Sequence, residues 1–98
     1  MFELQLTDES KSQIEAILTN PSKKGLAKQL KKALKLLANN PKHPGLRTHA
    51  MKGSFSHLGR KVFTSYVQNN TPGAHRILWT YQENEPPLIL IIEVIPHY

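Results

Sequence analysis

The hydrophobic period of this 98-residue chain changes once, at Pro44-Gly45, and that change limits the folds open to it. Upstream, apolar residues recur at helical spacing: Ile14, Ile17 and Leu18 in one segment, then Leu26, Leu30, Ala33, Leu34 and Leu37 in a second. Downstream, four strand-length segments, 46–51, 61–67, 75–81 and 88–95, are separated by loop-like stretches at 53–59 and 68–73 and a hairpin connection at 84–87. One more strand opens the chain, where Phe2, Leu4 and Leu6 alternate with Glu3, Gln5 and Thr7. Asp8 and Glu9 suit the positive end of the first helix dipole, and Asn20-Pro21 and Asn39-Asn40-Pro41 stop the two helices. The order β-α-α-β-β-β-β predicts one α+β domain over 1–98, with both helices on one face of a largely antiparallel sheet.

The last hairpin has an apolar match that predicts its register. With Tyr81 opposite Leu88, Trp79 faces Leu90, Ile77 faces Ile92 and His75 faces Val94. That register turns Ile77, Trp79, Leu90 and Ile92 toward the helices. It sets Arg76 opposite Glu93 and puts both, with His97, on the other face.

Charge is as unevenly distributed as hydrophobicity. Eleven of the thirteen Lys and Arg residues fall between 21 and 61, a stretch without any Asp or Glu, on a chain of net charge +6. Segregated positive charge gives the molecule a directed field and points to a polyanionic partner, nucleic acid first. Lys24, Lys28, Lys31, Lys32 and Lys35 lie opposite the apolar stripe of the second helix, and their simplest role is a solvated face that also steers association. The absence of cysteine excludes disulfides, thiolate metal sites and cysteine nucleophiles. His43, His49 and His57 lack helical ligand spacing and have no carboxylate near them in sequence, so no metal or cofactor is expected. The longest apolar run, 88–92, is far short of a membrane span, so the expectation is a cytoplasmic protein with no membrane partner.

Several short segments then fall in a telling order: Lys52-Gly53, Gly59-Arg60-Lys61-Val62-Phe63, His75-Arg76-Ile77-Leu78-Trp79-Thr80-Tyr81, and an apolar last strand ending Pro96-His97-Tyr98. In this order, behind a helical pair, they resemble the RelE/ParE superfamily of toxins from toxin-antitoxin pairs, and most of all its YoeB-like members. The resemblance implies a RelE-like fold, a cognate antitoxin, and metal-independent cleavage of messenger RNA on the ribosome by attack of a 2′-hydroxyl on the adjacent phosphate. Such a reaction needs a base, cations for the phosphorane and an acid for the leaving oxygen. By the same resemblance Arg76 is the phosphate-stabilising cation, His97 a proton-transfer group and Tyr98 its C-terminal companion. Arg47, Lys52, Arg60 and Lys61 are the cations expected to hold RNA.

The chain departs from the pattern at one point. Where YoeB-like toxins carry a glutamate base, three residues before the Lys-Gly step, this chain has His49, whose near-neutral pKa suits the same role; activity that rests on lysines, as in RelE, or that is lost, stays open beside it. Two other readings stay open: a ParE-like toxin acting on DNA gyrase, and a relative that binds RNA without cutting it. Bland roles stand beside the chemical ones, with Arg76 and Glu93 as a cross-strand ion pair and His97-Tyr98 as a frayed terminus. At strand spacing Trp79 and Tyr81 read as core, although they, Phe63 and Tyr66 are also the aromatics able to stack on bases.

Overall fold

Thr7 determines how the chain leaves its first strand. Its hydroxyl accepts from the Ser10 amide and so caps the helix that follows, with Asp8 and Glu9 in the first turn. The same hydroxyl donates to the Ile92 carbonyl at 2.8 Å, and the Ser10 hydroxyl donates to Ile91 at 2.8 Å, so helix and sheet are joined at the helix start. The computed structural model describes residues 1–51, 56–57, 59–68, 74–82 and 87–96. In chain order the elements are β1 (Glu3–Leu6), α1 (Asp8–Leu18), α2 (Lys24–Asn39), β2 (His49–Ala50), β3 (Ser56–His57), β4 (Arg60–Lys61), β5 (Phe63–Tyr66), β6 (His75–Gln82) and β7 (Leu88–Pro96), with 3-10 turns at Pro21–Lys23 and Pro44–Leu46.

Five strands form one sheet in the order β1-β7-β6-β5-β2, with β1 parallel to β7 and the other neighbours antiparallel. Ile14 and Ile17 from α1 and Leu30, Ala33 and Leu37 from α2 join Ile77, Trp79, Ile89, Ile91 and Val94 in one buried cluster, which puts both helices on one side of the sheet. The lysines of α2 are all exposed, and Leu18, expected in the apolar stripe of α1, is 39% exposed.

Four expectations change. The segment 46–51 keeps only two strand residues, because Pro44–Leu46 forms a 3-10 turn and Arg47 follows it in the left-handed region at φ 50°. Within the expected loop at 53–59, Ser56–His57 pairs with Arg60–Lys61 as a small separate hairpin, and the expected strand 61–67 divides at Val62 between β4 and β5.

The fourth change is the hairpin register. Tyr81 lies opposite Ile89 and Trp79 opposite Ile91; past a bulge at Ile92, Leu78 faces Glu93, Ile77 faces Val94 and Arg76 faces Ile95. The helix side therefore buries Ile89, Ile91 and Val94 beside Ile77 and Trp79, not Leu90 and Ile92. One extra residue on β7 resets its alternation, so Val94 takes the core position that Glu93 would otherwise occupy. Gln13 accepts from the Val94 amide at 2.7 Å, so α1 satisfies an amide along the stretch of β7 that β1 does not reach.

Candidate functional site

Alternation along β6 decides what faces the open side of the sheet. Ile77 and Trp79 have no exposed surface and point to the helices, which sends Arg76 and Leu78 the other way. On β5, Tyr66 is the cross-strand partner of Arg76 and Thr64 that of Leu78; on β2, His49 is paired with Thr64. Three polar side chains, His49, Tyr66 and Arg76, thus come from three adjacent strands onto one patch, and the His49 and Tyr66 rings lie 5.8 Å apart. Leu78 and Leu90, each 7% exposed, give that face an apolar bed.

Arg76 is half-buried, and its Nε is buried with no hydrogen-bond partner among the described residues. A guanidinium N–H withdrawn from water and left unpaired is costly in a resting protein, and an anion would relieve that cost. The expected partner is not opposite it. Glu93 faces Leu78, and its carboxyl lies with Glu9 and Gln13 of α1, where burial and then the neighbouring Glu9 push its pKa upward. The Arg76–Glu93 pair is therefore corrected: the hairpin already runs one residue from the expected register at Tyr81–Ile89 and the bulge adds one more, so Ile95 stands opposite Arg76 and Glu93 makes a helix contact.

The other expected residues are spread more widely. His49 is exposed, with Nδ1 3.3 Å from the Arg47 carbonyl; its tautomer decides whether that contact is a hydrogen bond. Arg47 is exposed beside it. Arg60 donates from a guanidinium nitrogen to the Tyr81 carbonyl at 3.3 Å, five residues along β6 from Arg76, roughly 17 Å at strand rise. Lys61 is exposed near Arg60, and its carbonyl accepts from the Thr80 hydroxyl. Arg60 and Lys61 thus sit at the end of β6 away from Arg76, and could reach only a different part of a bound strand. Lys52, His97 and Tyr98 lie outside the described residues. His75, next to Arg76, faces the helix side, where burial and then Lys23 lower its pKa.

Tyr66 is the residue that sequence reasoning left among general stacking aromatics without a place in the site. Its signal was present: in β5 it is two residues from Thr64, so strand spacing alone puts both on one face. What the sequence lacked was the register that sets Tyr66 against Arg76.

A buried polar chain fixes the corner next to this patch. The Trp79 indole N–H donates to the Ser65 hydroxyl at 2.8 Å, and the Thr48 hydroxyl lies 2.6 Å from Ser65 and 3.0 Å from the Pro41 carbonyl. Each hydroxyl has one proton, so Thr48 donates to Pro41 and Ser65 donates to Thr48. The segment 41–48 is thereby tied over β5 and β6, and it carries Arg47 and leads into His49. No helix among the described residues is long and apolar enough to cross a membrane.

Comparison of the sequence with protein-family models and with curated proteins gives no match. Among solved structures, the chain is similar to the YoeB dimer from Staphylococcus aureus, with a TM-score of 0.65 over 99% of this chain and 98% of that one at 16% identity. The likeness is one of fold, and in this chain that fold is two helices packed with a five-stranded sheet in a mixed α+β arrangement.

Proposed function

We propose that this chain is the toxin of a toxin-antitoxin pair, a cytoplasmic ribosome-dependent endoribonuclease of the YoeB-like kind. The observation that carries the reading is the buried Nε of Arg76, without a partner among the described residues, on the same face away from the helices as Tyr66 and His49. Likeness in fold to YoeB supports the class, and the segregated charge of the chain supports a polyanionic substrate.

The chemistry assigned to the patch is transesterification. His49, neutral, takes the proton of a 2′-hydroxyl; the oxygen attacks the adjacent phosphorus; the bond to the 5′-oxygen breaks, leaving a 2′,3′-cyclic phosphate and a 5′-hydroxyl. Arg76 stabilises the added charge on the phosphorane, and His97, protonated, supplies the proton to the leaving oxygen, with Tyr98 beside it. Arg47, Lys52, Arg60 and Lys61 hold the strand on either side. The partner that silences the toxin is an antitoxin whose acidic or amphipathic segment covers the basic surface.

A second reading, an RNA-binding relative that does not cut, draws on one observation: Arg76 is matched by Ile95 and Tyr66, with no carboxylate beside it in the register of the described strands. Induced expression in a bacterial host, followed by mapping of RNA 5′ ends, separates the two. New ends inside translated codons support the nuclease; binding to ribosomes without new ends supports the relative.

A further inference from the structure

On the helix side of the sheet, at the corner roofed by residues 41–50, lies a pocket of about 700 Å³ to which neither α1 nor α2 contributes a lining residue. Its floor is aromatic. Phe63 stacks on Trp79 with centroids 4.9 Å apart, and Tyr81 meets Trp79 edge-on at 4.9 Å and Phe63 at 5.5 Å. The Trp79 N–H is committed to Ser65, so the indole contributes its ring and no donor. The Tyr81 hydroxyl is a neutral donor and acceptor at neutral pH, as any phenol is, and burial pushes its pKa further upward.

The wall of this pocket is cationic: Lys42 and Arg47 are exposed lining residues, and among the described residues no Asp or Glu lines it. Arg47 is held in the left-handed region, so its backbone is fixed at the end of the 3-10 turn. A floor of rings beneath two cations suits a ligand that is flat at one end and anionic at the other, and the volume falls in the usual range for small-molecule sites.

His49 connects this pocket to the patch on the open face. It lines the pocket, yet its ring also packs against Tyr66, and the strand that carries it is two residues long at the edge of the sheet. A strand that turns around β2 reaches both sides within neighbouring nucleotides. We propose that the pocket receives a base of the RNA next to the cleaved phosphate, stacked over Tyr81 and Phe63, with Lys42 and Arg47 on that nucleotide's phosphate. The assignment rests on the reading of RNA as substrate, and it makes this corner a determinant of which nucleotide is accepted beside the cut.

Trp79 is the chain's one tryptophan, so its fluorescence reports on the pocket without a label. The experiment titrates the full chain with each of the four nucleoside 5′-monophosphates, with ribose 5-phosphate, and with N-acetylphenylalaninamide. The expected result is saturable quenching by nucleotides that differs among bases, and little response to ribose 5-phosphate. The exposed pair Lys42→Gln and Arg47→Gln should weaken nucleotide binding at least about tenfold, the worth of one charge-assisted hydrogen bond. Tyr81→Leu should weaken it further, with a thermal melt to verify folding. Three results overturn the proposal: no saturable change with any nucleotide, equal affinity for ribose 5-phosphate, or tight binding of the phenylalanine amide that ignores Lys42 and Arg47, which would mark an anchor site for a protein partner. No ribosome and no cleavage enter the titration, so a failure of the nuclease reading is seen separately in the mapping of RNA ends.

Discussion

The two faces of the sheet are built from the same strands and do opposite work. Toward the helices, Ile77, Trp79, Ile89 and Ile91 have no exposed surface and hold the fold. One residue along β6, Arg76 lies on the other face, half-buried and with an unpaired nitrogen, and contributes nothing of that kind to the core. Thr64, Leu78, Thr80 and Leu90 are also buried on that second face, so the proposed chemistry separates from stability at Arg76 and His49 and not across the face as a whole.

The largest effect belongs to the helix side. Trp79→Ala removes the centre of the aromatic cluster and the donor to Ser65, and should lower unfolding free energy by about 3–5 kcal/mol, measured by urea denaturation. His49→Ala should leave that value within about 0.5 kcal/mol, and Arg76→Ala should hold or raise it, by up to about 1–3 kcal/mol, because it removes a buried N–H that has no partner among the described residues; a large loss in either would break that separation. The next effect belongs to the side away from the helices. Arg76→Ala should reduce ribosome-dependent cleavage by roughly a hundredfold or more, with a melt no lower than that of the wild type, in a cleavage assay on programmed ribosomes.

Smaller effects sharpen the comparison. If Lys61 touches a phosphate, Lys61→Ala should reduce the salt slope of RNA binding by about one, read from affinities across a salt series. Glu93 tests the edge where α1 grips β7. Its pKa is raised in the folded protein, so the stability it contributes is full below the ordinary carboxylate range and is lost as pH rises through the folded value. Glu93→Gln should therefore flatten the melt across that range and raise the melting temperature at neutral pH by roughly a degree or two. A variant with an unchanged pH profile would show that the contact with Glu9 carries no cost.

β6 and β7 show how much of this could be read from sequence. In β6, Arg76, Thr80 and Gln82 interrupt the apolar residues, so the sequence identifies its two faces correctly and puts Ile77 and Trp79 inside. β7 is apolar from Leu88 to Ile92, and either phase satisfies such a run equally well. Its register was decided by contacts that no local pattern carries: Thr7 and Ser10 on the Ile92 and Ile91 carbonyls, and Gln13 on the Val94 amide. The same limit explains the site. Arg76 and His49 were legible as residue types with a chemistry, whereas the meeting of His49 with Tyr66, and the loss of Glu93 to α1, depend on pairings between distant segments. The helices, by contrast, were legible nearly to their ends, because apolar period and stop residues agree within each segment.

The most direct test of the central claim is a comparison of RNA 5′ ends from cells expressing the wild-type chain and Arg76→Ala at equal protein levels. The wild type should give new ends within translated codons, bearing 5′-hydroxyl groups, and these should nearly disappear in Arg76→Ala. Equal cleavage by the two proteins, or no cleavage by a wild-type chain that still binds ribosomes, would contradict it.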